Sequence, residues 1–302
     1  MRIELPDLPR LSVGVVGAGR VGAVLGAALA RAGHRVVATS GVSTASRDRA
    51  AALLPGVPLV AADRVPAEAD LVLLAVPDDA LPGLVAGLAA TGSLRPGQLV
   101  AHTSGRHGLA VLEPATRLGA RPMALHPVLP FRGTDLDLLR LGGAAFGVTA
   151  PEARTATAHA LVRELGGDPV DVPEERRALW HAALAHGANH LTALVASSAD
   201  LLRAAGAEHP DRVLRPLLEA ALDGALSRGD AALTGPVARG DAGTLRAHLE
   251  VLAAVAPEVL PSYVAMARLT ADRALAAGLL EPRRVGALLD VLADAATGAV
   301  RS

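Results

Sequence analysis

Apolar runs alternate with amphipathic stretches over the first half of the chain, and helical periodicity alone fills the second half. Leu11–Val16 and Arg35–Thr39 read as strands. Between them, Arg20–Ala32 reads as a helix. A helix over Thr44–Leu54 is stopped by Pro55-Gly56, and a short strand is expected near Pro58–Val60. Ala69–Val76 is a continuous apolar run, as a parallel strand buried on both faces requires. Pro77-Asp78-Asp79 ends that run and opens a helix to about Ala90. Further strands follow at Gly97–His102, Arg121–Pro127, Ala145–Thr149 and Pro169–Val172, with a helix over Pro151–Leu165. Strands alternating with helices predict an α/β domain built on a doubly wound, mostly parallel sheet. After Pro173 only helices are expected, over Glu174–Ala204, His209–Arg228, Ala242–Ala254, Pro257–Ala277 and Arg283–Ala296. The expected division is therefore an α/β domain over 1–172 and an all-α domain over 173–302.

The first strand runs into Gly17-Ala18-Gly19-Arg20-Val21-Gly22. In a strand–turn–helix setting this spacing is the dinucleotide-binding fingerprint of a Rossmann domain. Gly17 allows the tight turn, Gly19 lets a pyrophosphate approach the backbone, and Gly22 lets the helix pack close to the strand. The helix N-terminus offers free N–H groups and a positive dipole end to phosphate.

An NAD site usually ends its second strand in Asp or Glu, which bonds the ribose 2′-hydroxyl. Here the strand ends in Thr39-Ser40-Gly41, and Arg47 and Arg49 follow. With no carboxylate to repel a 2′-phosphate, and with arginines whose planar forks suit it, NADP is the expected cofactor and NAD the alternative. The two arginines also fit a simple solvated helix face. Ala75-Val76-Pro77-Asp78 and His102-Thr103-Ser104-Gly105 lie at carboxyl ends of strands, where the middle and nicotinamide end of the cofactor are expected. Val76, Pro77, Asp78 and Ser104 join Gly17–Gly22, Ser40 and Arg47 as expected cofactor contacts.

Composition narrows the chemistry. The 302 residues carry a net charge of −1 and only two Phe, one Trp and one Tyr, which leaves no basic footprint or aromatic platform for nucleic acid. There is no cysteine, so thiolate chemistry, disulfides and cysteine-held metals are excluded. All 29 basic residues are arginine, so no lysine can deliver a proton or form a Schiff base. No signal-peptide pattern opens the chain, and a cytoplasmic protein is expected. Ala178–Ala199 lacks charged residues and is long enough to span a bilayer, but it holds Trp180, His181, His186, Asn189 and His190. Polar groups at that density are costly in lipid, so the stretch is expected as a helix buried in a helical domain, with no membrane partner.

Histidine is the remaining general acid or base for a nicotinamide reaction. His102 and His126 stand at predicted strand ends. His186, Asn189 and His190 share a helix face at i, i+3 and i+4. His126, Asn189 and His190 are the expected catalytic residues. Ser104, Gly105, His186, Thr234 and Arg239 are the expected substrate contacts. The two helix histidines equally fit hydrogen bonding inside a helical core. Their spacing also suits a metal, but no third ligand is evident and no metal is expected. Leu233–Asp241 reads as a stiff, polar loop that either closes the site or joins two helices.

Gly17–Gly22, Ala75–Asp79, His102–Gly105, Leu125-His126-Pro127, Ala188-Asn189-His190 and Leu233–Asp241 together resemble an oxidoreductase family with a Rossmann-like domain followed by a domain of unknown function. The likeness spans nearly the whole chain. The wider superfamily is that of 6-phosphogluconate dehydrogenase, with ketopantoate reductase, pyrroline-5-carboxylate reductase and prephenate dehydrogenase. The resemblance implies NAD(P) in the first domain and a homodimer formed through helices of the second. Ketopantoate reductases and hydroxyisobutyrate dehydrogenases carry a lysine four residues before an asparagine; here Ala185 precedes Asn189. The expected function is NADP-dependent hydride transfer to or from a small keto, hydroxy or imino acid, with a ketopantoate-type substrate leading. The alternative is a non-catalytic NADP-binding regulator or scaffold.

Overall fold

In the computed structural model, which describes residues 9–297, the alternating half of the chain builds one sheet. Its elements are β1 (Ser12–Val16), α1 (Arg20–Arg31), β2 (Arg35–Ser40), α2 (Thr44–Leu53), β3 (Leu71–Leu74), α3 (Leu81–Ala90) and β4 (Leu99–His102). They continue with α4 (Glu113–Thr116), β5 (Arg121–Pro127), α5 (Leu136–Arg140), β6 (Ala145–Thr149), α6 (Thr155–Glu164) and β7 (Asp168–Asp171). Strand order is β2-β1-β3-β4-β5-β6-β7. All neighbours are parallel except β5 and β6, which pair antiparallel.

Side chains alternate across the strands, which is why these runs are apolar throughout. Val13, Val15, Leu71 and Leu73 face α1 and α6 on one side; Val16, Val72 and Leu74 face α3 on the other. The sheet order reverses at β1, so the switch point lies between β1 and β3. The strand expected at Pro58–Val60 is reduced to one bridge, Leu59 to Thr39, at the outer edge of β2. Three turn segments of the first half, a 3-10 turn over Ala62–Glu68 and the short α4 and α5, carry no periodicity long enough to read from sequence.

The second half is helical: α7 (Arg177–Ala204), α8 (Pro210–Arg228), α9 (Gly235–Arg239), α10 (Ala242–Val255), α11 (Leu260–Ala276) and α12 (Pro282–Thr297). The chain divides into compact units at Met1–Gly187 and Ala188–Ser302, a division that falls inside α7. The first turns of α7 belong with the sheet because Arg177 is buried there and Glu174 accepts the N–H groups of Leu109 and Ala110.

Within the second unit, α9 to α12 enclose a core of Val237, Leu245, Leu249, Ala271 and Leu288. Leu233–Asp241, read as a loop, contains the five-residue α9. Gly240 then turns the chain in the left-handed region (φ 74°), and Asp241 caps α10 through Thr244. The expected burial of α7 is corrected: Leu179, Leu191 and Leu194 are exposed. Among the described residues no helix is long and apolar enough to cross a membrane.

Candidate active site

At the switch point the three glycines separate by the space around them. Gly17 has φ +97°, and a Cβ there would stand 2.6 Å from Ala75 O. A Cβ at Gly22 would overlap Gly17 O and stand 2.8 Å from Ala75 Cβ. Gly19 is different: its nearest protein atom would be Ala75 O at 4.0 Å. The first and third glycines are thus required by the protein, while the second leaves space above the turn. No side chain caps α1, and its first turn has no acidic residue, so its N–H groups remain for an anion. These residues fit a dinucleotide pyrophosphate.

Ser40, expected to meet the cofactor, is buried and accepts the Gly17 N–H on its Oγ at 3.1 Å; its carbonyl accepts the Ala18 N–H at 2.6 Å. Its observed contacts hold the glycine turn. Arg20 and Arg47 are exposed and Val21 is half-buried; Arg47 Nε lies 3.4 Å from Gly41 O. Val76 packs beside Gly17, while Pro77 O accepts the N–H groups of Ala80 and Leu81 and so starts α3. The Asp78 carbonyl is 3.2 Å from His107 Nε2.

The loop after β4 is shaped by His102, which is fully buried. Its Nδ1 accepts the Ser104 N–H, and its Nε2 meets Gly108 O at 2.8 Å. Ser104 is buried as well: its Oγ accepts the His107 N–H and its carbonyl accepts from Arg177. Arg177 also donates to Gly147 O and Thr149 Oγ1, each at 3.2 Å. It forms no ion pair among the described residues, and its Nε has no partner. Burial brings its pKa down to about 10, so it stays charged at neutral pH.

His126 closes β5 and pairs across to Gly147 on β6. Because Gly147 has no side chain, the Trp180 indole reaches over it and donates its N–H to His126 Nδ1 at 3.1 Å. His181 meets His126 edge to face, with centroids 5.8 Å apart. A Cβ on Gly105 would be 2.6 Å from His181 Cδ2 and 2.8 Å from His126 Nε2. Burial, then the charge of Arg177, lowers the His126 pKa to about 4; burial likewise brings His102 to about 4.

These depressed values make stability acid-sensitive. Between pH 6.5 and about 4 the unfolded histidine binds a proton that the folded one does not. The contribution is complete above pH 6.5 and is lost as the pH falls toward 4, by about 3 kcal/mol for His102. Thermal unfolding should therefore move to lower temperature between pH 7 and pH 4.5, with the shift reduced in His102→Gln. An unchanged profile would contradict neutral burial.

The structure brings Gly17–Gly22, Val76–Asp78, Ser104, Gly105 and His126 to the carboxyl end of one sheet. His186, Asn189 and His190 are exposed on α7; Asn189 and His190 belong to the second unit. There too Thr234 and Arg239 are exposed. Thr234 lines a cavity of about 410 Å³ beside the hydrogen-bonded pair of His248 and Tyr263. Sequence reasoning missed Arg177, Trp180 and His181. Their i, i+3, i+4 spacing was a signal that all three share a helix face. A cavity of about 560 Å³ opens at the amino ends of the strands, between Arg10, Asp70 and Arg121, away from the end where doubly wound sheets bind ligands.

Residues 5–127 match the family model described as Rossmann-like domain, and residues 144–270 match the domain of unknown function DUF2520. No curated protein matches. A Bacteroides fragilis protein described as a candidate NADP oxidoreductase superposes with TM-score 0.72 at 23% identity, covering 87% of this chain and 98% of that one. Thermotoga maritima protein TM1727 gives 0.64 at 20% identity, with the same coverage. Plasmodium falciparum pyrroline carboxylate reductase, solved with NADP bound, gives 0.56 at 11% identity, covering 93% of this chain and 100% of that one. The chain is thus a Rossmann-like domain followed by a DUF2520 domain, and it shares the fold of these proteins.

Proposed function

We propose that this protein is an NADP-dependent oxidoreductase acting on a small keto, hydroxy or imino acid, with NAD the alternative cofactor and ketopantoate-type acids the first to assay. The observation that carries the reading is the space above Gly19 beside an uncapped helix N-terminus, at the switch point of the sheet. When bound, the nicotinamide supplies or accepts a hydride. The N–H groups opening α1 bind pyrophosphate, Arg47 meets the adenosine 2′-phosphate, and Val76, Pro77 and Asp78 border the middle of the cofactor. Ser104 and Gly105 border the reacting end, where His126 holds a proton at Nε2. Asn189 and His190 orient the substrate and move its proton, while His186, Thr234 and Arg239 meet its polar and anionic groups.

Trp180 is the sole tryptophan and lies beside His126, so its emission is expected to transfer to bound NADPH. Titration should show NADPH binding more tightly than NADH. Arg47→Ala should weaken NADPH by about tenfold, roughly 1.4 kcal/mol, and leave NADH unchanged. Equal loss for both dinucleotides would remove Arg47 from the 2′-phosphate. NADPH oxidation with a panel of 2-keto and imino acids then tests catalysis.

A homodimer completes the reading. Val213, Leu217, Leu222 and Leu226 on α8 are 49, 62, 52 and 80% exposed, and α8 adds nothing to the core of α9 to α12. Val213 and Leu217 share one side of α8 and Leu222 and Leu226 the opposite side, and a helix with apolar side chains open to water gains little from its own hydrogen bonds and needs a partner surface. Light scattering should give twice the chain mass, and Leu222→Glu with Leu226→Glu should give the monomer. A wild-type monomer would refute the dimer.

A further inference from the structure

We propose that the reacting group of the substrate is a carbonyl–alcohol couple, held at oxygen by the Nε2–H of a neutral, tautomer-locked His126, and not an imine–amine couple. This rests on the oxidoreductase reading above and narrows it.

The tautomer follows from Trp180. An indole nitrogen only donates, so His126 Nδ1 must accept, and the ring proton sits on Nε2. Nε2 is the atom beside the Gly105 turn, where the missing side chain leaves room for the ring: a Cβ there would stand 2.8 Å from it. Charged and titratable groups facing the ring are Arg177 and His181 from α7 and Asp78 from the turn after β3. Asp78 favours protonation of the ring, but burial and Arg177 outweigh it. His126 is therefore a hydrogen-bond donor that stays uncharged, near a buried guanidinium that bonds neutral oxygens and forms no ion pair among the described residues, with the charges of Glu174 and Asp78 acting on it from farther away.

That combination distinguishes two substrate chemistries. When the carbonyl carbon receives hydride from the reduced nicotinamide, which is oxidised, the C=O π pair moves onto oxygen. Nε2–H and the field of Arg177 both stabilise that developing negative charge. A proton from solvent completes the alcohol. A reactive imine is instead protonated at nitrogen and carries positive charge into the site. The same field opposes it, and a locked N–H donor gives it no acceptor. Trp180 and Arg177 are positioning residues that act through His126.

Nitrogen-15 NMR of the full chain with NADP⁺ at pH 7 reads the tautomer directly. The expected result is a neutral His126 protonated at Nε2 in wild type and a tautomer mixture in Trp180→Phe. A cationic or Nδ1-protonated wild-type ring would overturn the proposal. NADPH oxidation is then compared for 2-keto acids and cyclic imino acids of matched size. Turnover of keto acids alone supports it. There, His126→Ala should lower kcat about 100-fold with KM little changed, and His126→Gln, which keeps an N–H donor, should recover about tenfold. Turnover of imino acids overturns the inference and leaves the oxidoreductase reading standing. Turnover of neither class, with NADPH bound, rejects that reading and this inference with it.

Discussion

Gly22→Ala is expected to abolish NADPH binding, whereas Gly19→Ala should weaken it while leaving the fold intact. A Cβ at Gly22 would overlap the Gly17 carbonyl and crowd Ala75, so α1 must move away from both β1 and β3. Overpacking of this kind costs about 1–3 kcal/mol. The movement also carries the N–H groups of α1 away from the phosphates, so an affinity loss above about 100-fold is expected. At Gly19 the nearest protein atom would be 4.0 Å from the new carbon. That variant should unfold at the parental temperature and lose affinity only because its methyl occupies the place of the pyrophosphate. Calorimetric titration with NADPH, paired with thermal unfolding, checks both. Unchanged affinity in Gly19→Ala would remove the pyrophosphate from this turn.

The second large effect is expected at Arg177. Its guanidinium reaches Ser104 O, Gly147 O and Thr149 Oγ1 from a position 1% exposed. Arg177→Ala strands these buried acceptors and opens a cavity, at a cost of about 3 kcal/mol or more. Arg177→Met keeps most of the volume and isolates the hydrogen-bonding share. Both changes remove a positive charge that lowers the pKa of His102 and His126, so both histidines should titrate at higher pH. Urea unfolding measures the first effect and histidine NMR titration the second. Unmoved histidine titrations would show that burial alone keeps the rings neutral.

The glycine turn was legible because each of its requirements is local. The turn out of β1, the spacing to α1 and the close approach of Gly22 are all set within a few residues. The constellation at His126 was legible only in part. His126 stood out as a strand-end histidine, but its partners are Trp180 and His181, brought in by a strand pairing that local pattern does not encode. β6 runs antiparallel beside β5, places Gly147 opposite His126, and leaves a gap that Trp180 enters. Ser40 and Ser104 illustrate the same limit. Both were expected at the ligand, and their observed contacts hold the adjoining turns.

Periodicity, glycine spacing and the absence of lysine and cysteine determined the α/β-then-α order of the chain and its dinucleotide turn, and left histidine as the candidate for proton chemistry. Those are properties of neighbouring residues and of composition. Tertiary structure decided that the segment Pro58–Val60 is a single bridge, that the start of α7 joins the sheet, that His126 is neutral, and which faces of α7 and α8 stay exposed. Each depends on desolvation or pairing between residues far apart in sequence, and those contacts exist only once the chain has folded.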